Sequence, residues 1–201
     1  MPTSLPNQAG EGEGARTISY VYKASLISSA YQFELTEAGL SWRIGRRSGV
    51  WPYADIASIR LSYRPMSMQS RRFRADIART GGGRIAILST TWQTVSLMTP
   101  QDHGYRAFIT ELHRRMKAAG SKASLTGGIG TVTYAVAVAM LALLAVAMVG
   151  LFVRALATSE FIGALFLVGM AIWFAWTIGG FIKRNRPRRY SFDALPETLL
   201  P

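Results

Sequence analysis

Arginine is the side chain whose clustering points to chemistry in this sequence. Between Leu40 and Arg84 there are ten arginines, with only Asp55 and Asp76 against them. The densest groups are Arg43, Arg46 and Arg47, then Arg71, Arg72 and Arg74. A guanidinium presents a rigid fork of N–H donors that grips phosphate or carboxylate through two parallel bonds. Such a surface suits lipid headgroups, an acidic segment of a partner, or a phosphorylated ligand. The same residues also read as the solvated faces of alternating strands, where charge discourages edge-to-edge aggregation. Both readings stand at this level.

Catalysis has much less to work with. The chain has no cysteine, which excludes disulfides and thiol chemistry. His103 and His113 lie ten residues apart on one expected helix, a spacing that does not make a metal site. Serine, aspartate and histidine occur, but no nucleophile elbow brings them together. Gly81–Gly83 lacks the following helix and Lys/Ser context of a phosphate loop. The expectation is a non-enzyme with no catalytic residue, no bound metal and no cofactor.

The formal net charge is +12, from 23 Lys and Arg against 11 Asp and Glu. Residues 31–124 carry 15 basic and 6 acidic side chains, a net +9, and the stretch after residue 182 is basic again. These regions flank two apolar blocks, so the positive charge matches the membrane face that bears anionic lipid. No nucleic-acid partner is expected.

The apolar blocks organise the chain. They run over 128–153 and 161–182, with no charged residue between Lys122 and Arg154 or between Glu160 and Lys183. A helix crossing the hydrocarbon core needs ~20 predominantly apolar residues, so each block is long enough to span. The short link 154–160 makes them an antiparallel hairpin with a periplasmic turn. Arg114, Arg115, Lys117 and Lys122 precede the first block, and Lys183, Arg184, Arg186, Arg188 and Arg189 follow the second. Basic flanks stay in the cytoplasm, which puts both termini there. The first thirty residues lack the pattern of a cleavable signal peptide, so the first span is expected to target the chain. Heavy use of Ala, Arg and Gly suggests a bacterial source, and hence the inner membrane.

Ahead of the spans the pattern is period two. Residues 1–16, rich in Pro, Gly and polar side chains, are expected to be disordered. ISYVYK (18–23) offers a first strand or an entry arm. Tyr31, Phe33 and Leu35 alternate with polar residues; after a turn at Glu37-Ala38-Gly39, so do Leu40, Trp42 and Ile44. Further strands are predicted around Ile59–Tyr63, Phe73–Ile77, Ile85–Ile87 and Val95–Leu97. The period then lengthens: Tyr105, Phe108, Ile109, Leu112 and Met116 share one helical face. Thr99 is the expected N-cap of that helix and Pro100 its first residue, and residues 120–127 are expected to form a linker to the first span. About six or seven antiparallel strands closed by one C-terminal helix make an α+β module.

This arrangement resembles the bacterial pleckstrin-homology-like (PH-like) domains of small membrane proteins. The resemblance rests on YQFELTEAGLSWRIG (31–45), WPYADIASIRLSYR (51–64) and the closing helix with Phe108, Ile109 and Leu112, and covers residues 17–119. It implies a partly open barrel capped by a helix, a cytoplasmic binding or assembly module rather than an enzyme. The lysine pattern of phosphoinositide-binding relatives is absent, so inositide binding is not implied.

The tail KRNRPRRYSFDALPETLLP (183–201) starts as a basic cytoplasmic anchor and ends with leucines between prolines. Tyr190, Leu195, Leu199 and Leu200 are apolar enough to dock onto the PH-like domain. The first expectation for function is a membrane-anchored scaffold for an unknown protein partner or a second copy of the chain. Contact with anionic lipid headgroups through the arginines, or membership of a larger membrane complex, is the alternative.

Overall fold

The computed structural model describes residues 18–25, 27–64, 71–93 and 98–201. The expected disordered segment 1–16 and the expected strand residues Val95 and Leu97 lie outside the described residues.

The first sheet is a meander in which each strand pairs with the next: β1 (Ile18–Tyr22), β2 (Tyr31–Leu35), β3 (Leu40–Ile44) and β4 (Arg47–Trp51). Alternation predicts β2 and β3. It does not predict β4, whose sequence RSGVW has little period-two character. That strand exists because Gly45, at φ +61°, turns the chain tightly, and because Gly49 lies directly across from Trp42. A Cβ at Gly49 would sit 3.1 Å from the Trp42 ring, so the indole covers the missing side chain. At the other end Gly39 (φ +143°) lies against the Trp51 backbone, where no Cβ fits.

The second sheet has the order β11-β10-β5-β6-β7. Its centre is another meander, β5 (Ile56–Tyr63), β6 (Phe73–Arg79) and β7 (Arg84–Leu88), with a positive-φ turn at Gly81–Gly83. The outer two strands, β10 (Ser124–Gly127) and β11 (Arg188–Arg189), come from either side of the apolar blocks. β10 runs parallel to β5, with Leu125 opposite Ile59, and β11 runs antiparallel to β10. The expected linker 120–127 therefore contains a strand of the sheet.

A small ribbon, β8 (Thr90–Trp92) with β9 (Met98–Pro100), leads into the closing helix α1 (Asp102–Ala118). The expected helix start at Thr99 and Pro100 is corrected: both belong to β9, and Gln101 is the N-cap. Pairing of Thr99 with Thr91, and of the Gln101 amide with the Ser89 carbonyl (2.7 Å), holds this stretch extended. The two sheets close on each other where Tyr20 and Tyr22 of β1 donate their hydroxyls to the Leu88 and Ala86 carbonyls at β7, both at 2.6 Å. Inside, Phe33, Leu35, Leu40, Ile59, Leu61, Ile77 and Ile87 meet Tyr105, Phe108, Ile109, Leu112 and Met116 of α1 in one buried core.

Two helices follow, α2 (Thr131–Ala157) and α3 (Phe161–Arg184), joined by a turn with Ser159 at φ 60°. At ~1.5 Å per residue they are about 40 and 36 Å long, and both are long and apolar enough to cross a membrane. Their outer surfaces are exposed Val, Leu, Ile, Phe and Trp side chains. Of the small residues on α2, Ala135, Ala139, Ala142 and Ala145 are all exposed, and Ala145 also lines the groove against α3.

Candidate functional site at the junction of sheet and hairpin

The sheet hands the chain to the hairpin through a short, fully bonded junction. The Gly128 amide donates to the Leu61 carbonyl (2.8 Å), extending β10, and the Ile129 amide donates to the Asn185 carbonyl (3.1 Å). Gly128 has φ +89°, and a Cβ there would overlap the carbonyl oxygens of Asn185 and Arg186. Only glycine lets the two ends of the hairpin come this close.

Asn185, the first residue after α3, is fully buried. Its side chain accepts from the Tyr63 amide (3.1 Å) and donates to the Tyr63 carbonyl (2.9 Å) and the Phe181 carbonyl (3.2 Å). A carboxamide carries a donor and an acceptor side by side, so one side chain satisfies both backbone groups at the end of β5 and the last turn of α3. The Arg184 guanidinium lies over the Tyr63 ring, 5.2 Å from its centroid. The end of β5 is thereby fastened to the end of α3.

The tail then returns across the domain. Leu199 and Leu200 are buried in the core cluster, and Tyr190, Phe192 and Leu195 pack against it. Tyr190 meets His113, itself fully buried on α1, with 3.0 Å between its hydroxyl and His113 Nε2. His113 Nδ1 lies 2.7 Å from the Ile109 carbonyl, so Nδ1 must carry the proton and Nε2 accepts from Tyr190. Burial pushes the imidazole below its ordinary pKa, with the Ile109 bond acting weakly the other way. The phenol of Tyr190 is pushed up by burial. Outside this core, Arg106 pairs with Glu197 and donates to the Pro201 carbonyl (2.9 Å), and Lys117 pairs with Asp193.

The arginines that stand out in the sequence fall on different sheets. Arg43, Arg46 and Arg47 lie on β3, the turn and β4, all exposed, and make no ion pair among the described residues. Arg71 and Arg72 immediately precede β6 and Arg74 is its second residue, with Arg72 beside Arg64, whose amide donates to the Arg72 carbonyl (2.8 Å). Arg74 is taken up by Asp76, which accepts from its Nε (2.9 Å) and Nη2 (2.6 Å). Arg72 is half-buried; burial first, then the charges of Arg74 and Arg64, lower its pKa. Among the described residues no group of three or more His, Cys, Asp or Glu could hold a metal ion. Glu111 is committed to Arg114 and Arg115, whose guanidinium bonds hold its carboxyl down to about 2.

No family model, curated protein or solved structure matches the chain. Two residues of the junction, Arg60 and Asn185, carry weight that alternation alone does not flag. Arg60 reads as the polar partner in an ordinary strand pattern, and Asn185 as one more polar residue in a basic tail. The available signal was an uncharged amide set among Arg184, Arg186, Arg188 and Arg189, immediately after an apolar block.

Proposed function

We propose that the chain is a membrane-anchored, non-catalytic interaction module of the bacterial inner membrane, with a PH-like domain held at the cytoplasmic face. In this reading it recruits a protein partner, or a second copy of itself, to the bilayer surface. The observation that carries it is the splicing of β10 and β11, which flank the hairpin, into the domain's own sheet. A domain fastened to its anchor at both crossing points presents one surface in a fixed orientation, which is what a recruiting platform requires. The PH-like assignment is supported by the succession of a four-strand meander, a three-strand meander and a closing helix.

The surface this reading assigns to the partner is the free edge of β4. Edge strands offer unpaired backbone groups to an incoming extended segment. Val50 on β4 is 48% exposed, and a cleft of about 330 Å³ runs across the outer face of the sheet beside Val21, Arg43 and Gly49. The cleft is lined by Arg43 and by Glu34, and Arg46 and Arg47 stand exposed at the turn and start of β4. The edge therefore carries more positive than negative charge and favours an acidic segment. The test is a photo-reactive side chain at position 50 of the full chain in its native membrane. A discrete adduct at position 50, lost in R43E/R47E, is expected. An unmodified chain at position 50, or an adduct indifferent to both reversals, overturns the reading.

A further inference from the structure

A second basic site lies at the junction itself, on the other sheet from β4. We infer that the cleft between Arg60 and Arg189 binds a phosphate group, that of an anionic phospholipid at the bilayer surface. The cleft has a volume of about 310 Å³ and is lined by Arg60, Thr126, Gly130, Thr131, Arg188 and Arg189, among others, with no acidic residue.

Strand register builds it. On the outer face of the second sheet one row runs Asp76, Arg60, Thr126, Arg189 across β6, β5, β10 and β11. Arg60 and Arg189 are thus two strand spacings apart, roughly 10 Å between backbones, with a small threonine between them. Two long arms over a short residue leave a gap that a tetrahedral oxyanion fills. The acidic member of the row, Asp76, is already held by Arg74 (2.6 Å). Neither Arg60 nor Arg189 makes an ion pair among the described residues. Arg188, on the rim, donates to the Thr198 hydroxyl.

Position supplies the ligand class. The lining takes in Ile129, Gly130 and Thr131, where the chain enters α2, and Pro187 to Arg189, just after it leaves α3. Arg60 Nη1 lies 3.8 Å from where a Cβ on Gly130 would be. For a hairpin that spans the bilayer, this is the depth of the lipid phosphates, where basic side chains meet anionic headgroups. A guanidinium matches a phosphodiester by paired bonds and stays charged at any physiological pH.

The experiment uses the full chain in detergent and reads bound lipid by native mass spectrometry. Phosphatidylglycerol and phosphatidylcholine are titrated separately, then inorganic phosphate is added as competitor. The expected result is one phosphatidylglycerol bound in preference to phosphatidylcholine, at least about tenfold more weakly in R60Q/R189Q because two charged donors are lost. R84Q, at an exposed arginine at the start of β7, binds as the parent does, and R60K/R189K falls between. No displacement by millimolar inorganic phosphate identifies lipid as the ligand; displacement supports the same phosphate site with a soluble ligand. Equal binding of both lipids, or unchanged phosphatidylglycerol binding in R60Q, R189Q and the pair, overturns the inference. Loss at R84Q alone would do the same. The adduct at position 50 is independent of these outcomes, so the two proposals fail separately.

Discussion

The two sheets are made by the same alternation of apolar and polar residues, yet they are assembled differently. The β1–β4 sheet is drawn from one continuous stretch of chain, Ile18 to Trp51, and each strand pairs with its neighbour in sequence. The β5 sheet takes three strands from Ile56 to Leu88 and two more from either side of the apolar hairpin. The first is therefore a local structure that owes the anchor nothing. The second cannot be completed until both apolar helices have been made and the tail has come back. The difference teaches that attachment to the hairpin is a matter of tertiary structure, and that it is concentrated in a few residues.

Those residues are where the comparison can be broken. The largest effect is expected from Gly128→Val. At φ +89° a side chain there is strained, and its Cβ would lie 2.6 Å from the Arg186 carbonyl oxygen. The cost is estimated at about 4 kcal/mol. Limited proteolysis should then cut the tail after residue 185 while residues 18–51 stay protected. Gly82→Ala is the matched control, since Gly82 (φ +105°) has nothing within 4 Å and suffers only the backbone strain, roughly 1 kcal/mol.

Leu199→Ala comes next. The side chain is fully buried, so its loss should cost about 3 kcal/mol, read as a lower unfolding midpoint. It sharpens the comparison if hydrogen exchange rises in β10 and β11 before it rises in β2 and β3. Asn185→Ala leaves the Tyr63 amide and carbonyl without their partner, at a cost of about 2 kcal/mol. Asn185→Asp should be no remedy, because an ionised carboxylate cannot donate to the Tyr63 carbonyl.

The smallest effect is one of pH. His113 is held neutral beneath Tyr190, with its pKa below the ordinary ~6.5 of an unfolded histidine. The unfolded chain therefore binds that proton more readily. The stabilisation is complete above the unfolded value and is lost as pH falls below it, toward the folded one. Unfolding midpoints of the parent should drop across that window, and those of H113Q should drop less. Glu111 acts lower: its contribution is present above the ordinary carboxyl value and is lost as pH falls toward about 2.

How much of this was legible beforehand follows from where the pairing information sits. β2, β3, β6 and β7 announce themselves because each has its own alternating run and a local turn, as at Gly39 and Gly81–Gly83. The α1 face and the two apolar helices are equally local. β4, β10 and β11 are not. RSGVW, SLTG and RR have no strand signature of their own and become strands only against Trp42 or β5. The same holds for the candidate sites. Groups of arginines close in sequence are visible, but the row that joins Arg60 to Arg189 is created by register, and the disposal of Arg74 by Asp76 shows only in three dimensions. Tyr190, Leu195, Leu199 and Leu200 were conspicuous as apolar residues in a polar tail; their seat beside His113 and under Gly127 was not readable from spacing.

The most direct test of the account is hydrogen exchange on the full chain in lipid nanodiscs, followed at the amides of Gly128, Ile129 and Tyr190. These donate to the carbonyls of Leu61, Asn185 and Leu125 respectively. If sheet and hairpin are one unit, they should exchange on the timescale of the β5–β6 amides, within roughly tenfold. Exchange at the rate of open chain at all three, with β5 and β6 still protected, would contradict the account and leave a domain on a loose tether.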